Sequence, residues 1–130
     1  MSFDLAVWDG ERPETDQAAL DVYRLLIEQW HGDGMVERLE AKMRGEKTDH
    51  DPTPAIARYV ASLLDRWPDI TTDEGVDSPW SDGPLINNAT GPFFYFGMVW
   101  SMAEEASGFA ARVAEEQGLV CFDPQAEALR

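Results

Sequence analysis

Phe93–Val99 reads FFYFGMV, and this stretch decides the fold. Its apolar residues fall on both parities, Phe93 and Tyr95 on one and Phe94, Phe96 and Met98 on the other. A strand with one wet face alternates apolar with polar; a strand apolar on both parities is covered on both faces and lies inside a sheet. Gly97 in its interior marks a bulge or a close backbone approach. On the upstream side, residues 89–92 (ATGP) read as a turn and residues 85–88 (LINN) as a polar edge strand. On the downstream side, Ser101 with Glu104 three residues on forms a capping box that opens a helix. Met102, Ala106, Phe109, Ala110, Val113 and Ala114 make its apolar stripe, and Gly118 ends it. Residues 119–122 form a last strand, which Pro124 stops.

The first half supplies a strand and helices. Residues 3–8 (FDLAVW) alternate as a strand, and Asp9-Gly10 and Pro13 break it. Thr15 or Asp16 caps a helix running to about Trp30, with an apolar stripe of Ala19, Val22, Tyr23, Leu26, Ile27 and Trp30. A shorter helix is expected at residues 35–44. Thr53-Pro54 is a strong helix start, followed by Ile56, Tyr59, Val60, Leu63, Leu64 and Trp67 at helical spacing. Pro68 stops that helix. Residues 69–84 are acidic and rich in turn formers.

Reduced to its frame, the order is βαββαβ. The expected fold is α+β, a ferredoxin-like four-stranded antiparallel sheet backed by helices, with an extra helix in the first crossover. The first and third strands are then central. A two-layer fold leaves one sheet face wet, and FFYFGMV is apolar throughout. A cover is therefore expected from the 35–44 helix, the 69–84 loop, or a second subunit in a structural homodimer meeting through Phe94, Phe96 and Met98 or the opposite parity.

The 130 residues set the expectation of a single domain, 1–130. One cysteine rules out an intramolecular disulfide. The N-terminal stretch lacks a basic region followed by a long apolar core, and no apolar run spans a bilayer, so a cytoplasmic protein is expected. The formal net charge is −15, from 25 acids and 10 bases. That argues against binding nucleic acid or an anionic membrane and favours a basic protein partner.

Certain motifs bear a family resemblance. Met1-Ser2-Phe3-Asp4-Leu5, then Trp100-Ser101-Met102-Ala103-Glu104-Glu105-Ala106, then residues 118–123 (GLVCFD) follow one another along most of the chain. In these the chain resembles a group of small uncharacterised bacterial proteins with M-S-[FY]-D-L, W-S-x-A-E-E-A and G-x-x-x-F-D. That family carries no established activity, so the resemblance implies shared architecture and supplies no catalytic residues. Small acidic proteins of similar style include immunity proteins for toxins, an analogy at the level of composition.

Candidate chemistry is sparse. Cys121 has no activating neighbour, and Asp123 beside it would raise its pKa, so it reads as a packing residue. His31 and His50 lie in polar loops whose spacing matches no metal motif, and a lone cysteine excludes the usual structural zinc sets. The 69–84 segment departs from the EF-hand pattern, with Gly75 one place late and Trp80 at the twelfth position. No cofactor or metal is expected. Asp4 begins the first strand and Asp123 ends the last, so the two carboxylates are expected near one another, as strand-end acceptors or as an acid–base pair. Trp80 stands among acids, as an anchor for a partner or as a plug for the sheet.

The expectation is a non-enzymatic, acidic protein-binding module, an immunity-type inhibitor in its sharpest form. It would present Asp69, Asp73, Glu74, Asp77, Trp80 and Asp82 to a basic cleft. The competing expectation is a small-molecule or cation-binding enzyme. Its pocket would lie between the 69–84 loop and the sheet, using Asp4, Asp123, His31 or His50.

Overall fold

The structure is a computed structural model that describes residues 2–31, 40, 43–44, 51–70, 78–81 and 83–130. The chain is α+β, and its described residues form five strands and three α-helices. These are β1 (Ser2–Trp8), α1 (Asp16–His31), α2 (Pro54–Arg66), β2 (Ala89–Thr90), β3 (Phe93–Val99), α3 (Ala103–Glu116), β4 (Val120–Asp123) and β5 (Ala128–Leu129). The helix expected at 35–44 falls almost wholly outside the described residues; within it the Arg44 N–H donates to the Glu40 carbonyl at 3.1 Å.

The strands form one open antiparallel sheet in the order β2-β3-β1-β4-β5. β1 and β3 lie inside it, paired from Ser2↔Val99 to Trp8↔Phe93. The sheet has five strands where four were expected. Pro124 ends β4, but the chain then turns at once and pairs Ala128 and Leu129 back onto Asp123 and Phe122. Residues 85–88 are a 3-10 turn and not an edge strand; the edge pairing is made by Ala89 and Thr90, so the turn shortens to Gly91-Pro92. Gly91 takes φ +56 there, a left-handed conformation that glycine adopts without a Cβ clash.

Helices cover both faces of the sheet. Leu5, Val7, Phe94, Phe96, Met98 and Cys121 face α2, α3 and Trp80 in the main core. Ala6, Trp8, Phe93, Val120 and Phe122 face α1 and form a second, smaller cluster with Ala19. The double apolar parity of FFYFGMV thus has its cause. The second face is covered by α1, while Phe94, Phe96 and Met98 on the first face are fully buried beneath α2, α3 and Trp80.

Local sequence explains each helix. The Thr53 hydroxyl accepts the Ile56 N–H at 3.4 Å and Pro54 takes the first position, so α2 starts as its sequence dictates. Ile56, Tyr59, Val60 and Leu63 make its buried stripe, and the Tyr59 hydroxyl donates to the Ala110 carbonyl across to α3 at 2.9 Å. In α3 the small residues Ala103, Ala106, Ala110 and Ala114 are buried, which lets the helix axis come close to its neighbours. The expected capping box does not form. Trp100–Met102 fold as a 3-10 turn, α3 begins at Ala103, and its N-cap Met102 makes no side-chain cap. At the other end Gly118 takes φ +73, and the Leu119 N–H returns to the Ala114 carbonyl at 2.8 Å. The Thr15 hydroxyl caps α1 through the Ala18 N–H at 3.1 Å. The Asp16 carboxylate reaches instead to the Leu129 N–H at 3.0 Å, covering a donor on the outer edge of β5.

Candidate functional site

The residues expected to form a site are dispersed. Asp73, Glu74, Asp77, Asp82 and His50 lie outside the described residues, and His31 closes α1. Asp69 serves its own chain, its carboxylate accepting the Leu85 N–H at 2.8 Å. Trp80 is 1 % exposed, which corrects its reading as a partner anchor. Its indole N–H donates to the Trp67 carbonyl at 2.9 Å, and its ring meets Trp67 and Phe96 edge to face. Its main chain bridges to Met98, and flanking bonds run from Ser81 N–H to Gly97 O and from Val99 N–H to Pro79 O. Trp80 is the plug on the sheet, carried by a short segment that continues its edge.

Asp4 and Asp123 meet through a third residue. The Gln125 side chain accepts the Asp4 N–H at 2.6 Å, and its Nε2 donates to the Asp4 carbonyl at 2.7 Å and to Asp123 Oδ1 at 2.6 Å. Asp123 Oδ1 also accepts the Gln125 and Ala126 N–H groups at 2.9 and 3.2 Å. This is the strand-end role, with Arg130 Nη1 4.0 Å from the other carboxylate oxygen. By the β1–β4 register Asp4 shares the parity of Ala6 and Phe122, and Asp123 that of Cys121 and Val7, so the two side chains leave opposite faces of the sheet.

On the α1 side Asp4 has a different neighbour. The Tyr95 hydroxyl donates to Asp4 Oδ2 at 2.7 Å, and a further side-chain hydrogen bond joins Tyr95 to Tyr23 of α1. Burial, then the hydrogen bond to Asp4 and its negative charge, push the Tyr95 phenol far up; burial chiefly raises Tyr23. Both phenols stay protonated at neutral pH, and the trio acts as a polar tie between helix and sheet. Cys121 is buried in the main core. Burial pushes its thiol up to about 12, Asp123 adds to the rise, and Arg130 and Arg12 offset part of it. Such a thiol carries almost no thiolate at neutral pH. Among the described residues no cluster of three His, Cys, Asp or Glu side chains could hold a metal ion.

The surface feature that sequence reasoning passed over is the corner between β3 and α3. Trp100, Ser101, Met102, Glu104 and Glu105 line an open depression of about 450 Å³. Trp100 is 52 % exposed, its ring edge against Phe3 at 5.8 Å. Glu104 and Glu105 stand on the first turn of α3, where the helix dipole favours anions. Beside them, Arg66 Nη2 bonds Glu105 Oε1 at 3.1 Å while its guanidinium lies 4.3 Å over the Trp67 ring. The WSMAEEA motif holds this corner. Its reading as a strand end plus capping box hid it, because the 3-10 turn moves the helix start two residues on from Ser101. The missed signal was a large aromatic at the strand end with a pair of acids, Glu104 and Glu105, beginning four residues on.

No family model, curated protein or solved structure matches this chain. Among the described residues no helix is long and apolar enough to cross a membrane.

Proposed function

We propose that the chain is a non-catalytic, acidic protein-binding module whose contact surface is the Trp100 corner. The observation that carries this reading is an indole half-exposed in a depression walled by Glu104 and Glu105, on a molecule of net charge −15. Tryptophan is among the residue types enriched at binding hot spots. Long-range attraction draws a basic partner, and the indole supplies the short-range contact. The 69–82 acids add to the field. An immunity-type inhibitor of a basic cytoplasmic protein is the sharpest form of this proposal. Its scaffold reads as an elaborated ferredoxin-like frame, β1–α2–β2–β3–α3–β4, with α1 as the extra crossover helix and β5 as an added edge.

The enzymatic reading draws less support. Asp4 and Asp123 point to opposite faces, and each already serves local structure.

The test is retention from host lysate by the immobilised wild type, Trp100→Ala and the double variant Glu104→Gln/Glu105→Gln, each at low and high salt. The expected result is one basic protein held by wild type, lost in both variants, and weakened by salt. A partner that binds all three alike overturns the Trp100 corner as the contact surface.

A further inference from the structure

We infer that α1 is a lid on the aromatic face of the sheet, able to open as a unit while the main core stays folded. This goes beyond the binding reading and does not depend on the Trp100 corner. The buried residues divide into two clusters, one on each side of the sheet. The helices over them are held very differently. In α2, Ile56, Tyr59 and Leu63 are fully buried and Val60 is 2 % exposed. In α1 Ala19 alone among the described side chains is fully buried, and Leu20, Val22, Tyr23, Leu26 and Ile27 are only partly covered. Leu25, on the same helix, is 56 % exposed. Partial burial removes less apolar surface from water, so α1 gains less from docking than its length suggests.

Polar ties make up part of the difference. Asp16 holds the Leu129 N–H. Arg24 lies 3.8 Å from Glu127, both well exposed, a pair that contributes little. Tyr23 connects to Tyr95 and through it to Asp4. None of these ties belongs to the β1–β3 or β1–β4 ladders. Opening α1 therefore leaves the sheet, α2 and α3 intact, and it uncovers Trp8, Phe93, Val120 and Phe122 together. Partial burial of its described apolar side chains is the feature of a low-stability opening unit. The closed molecule hides an aromatic surface that the open one presents.

Native-state hydrogen exchange in low urea tests this, with Cys121 labelling as a second readout. Cys121 belongs to the α2–α3 face, so α1 opening leaves it covered. The expected result is that α1 amides exchange through a shared opening, more readily and with a smaller urea dependence than those of α2 and α3. Cys121 labelling should track only the slower, global event. Tyr23→Phe, a conservative change, should speed α1 exchange about fivefold, the effect of one net hydrogen bond. It should leave α2 exchange and Cys121 labelling within twofold of wild type. If α1 amides exchange together with those of α2 and α3, or Tyr23→Phe speeds all three readouts equally, α1 is an integral layer and the lid is excluded.

Discussion

Gln125 holds both main-chain groups of Asp4, accepting its N–H at 2.6 Å and donating to its carbonyl at 2.7 Å. A side-chain amide here stands in for a strand residue. The β1–β4 ladder runs to Ala6↔Phe122, and two residues further along the register Asp4 would face Pro124, which has no N–H to give. The Gln125 amide carries a donor and an acceptor like a peptide unit and fills the place.

Gln125 is exposed, where substitutions usually cost little, yet Gln125→Ala is expected to destabilise the protein by about 1–2 kcal/mol through the lost bonds. Gln125→Glu should cost more than Ala. It turns the donor facing the Asp4 carbonyl into an acceptor and adds a charge beside Asp123. Urea denaturation of the three proteins at neutral pH checks the order.

The Trp80 and Trp100 side chains should respond oppositely to truncation. Trp80→Ala opens the main core and loses the bond to the Trp67 carbonyl, with an expected cost of about 3–5 kcal/mol. Trp80→Phe, keeping most of the volume, should cost about 1–2 kcal/mol. Trp100→Ala removes a half-exposed ring and should stay within about 1 kcal/mol of wild type. Denaturation followed by circular dichroism measures all three without relying on the tryptophans as reporters.

Rising alkalinity should progressively destabilise the protein. Tyr59, Tyr95 and Cys121 all have raised pKa values in the folded chain, with burial as the leading cause in each. A raised folded pKa gives stability that is complete below the unfolded value and is lost as pH climbs toward the folded one. For Cys121 that window runs from 9.0 to about 12. Within it the unfolded chain has released a proton that the folded chain keeps, and stability falls by up to about 1.4 kcal/mol per pH unit for this group. Urea titrations across the window should show the decline, and Cys121→Ala should show a shallower one.

The Arg66–Glu105 pair is an exposed ion pair whose guanidinium also rests on Trp67. Glu105→Gln should cost under about 1 kcal/mol, since solvent screens the charges and the stacking survives. Arg66→Ala should cost more than Glu105→Gln, because it removes the aliphatic stem and the ring contact as well. A salt series on both variants separates the two terms; only the ion-pair part should fade.

The elements legible in the sequence were those where local and tertiary signals agree. Thr53-Pro54, the α2 stripe, the Gly118 cap and the double parity of Phe93–Val99 each had one physical meaning, and the structure bears it out. The number of layers was not legible. The α1 stripe announces a helix with one apolar face, but periodicity carries no information on which side of a sheet that face lands. The fifth strand was hidden because Ala128 and Leu129 are too few for any alternation. The Ser101 capping box failed because the chain leaves β3 through a 3-10 turn, which uses Trp100–Met102 before the α-helix can start. Trp80 shows the limit for single residues: its acidic neighbours left anchor and plug equally open, and a backbone bridge to Met98 turned its ring into the core.

The two parities of β3 also set how this gene can drift. Phe94, Phe96 and Met98 share a layer with most of the large buried side chains, while Phe93 and Tyr95 lie in the smaller cluster that α1 covers. In a library randomised across the strand and selected for folded protein at rising temperature, diversity should vanish at 94, 96 and 98 while 93 and 95 still vary. Conditional alleles of this gene should then concentrate on every second codon of a seven-codon stretch.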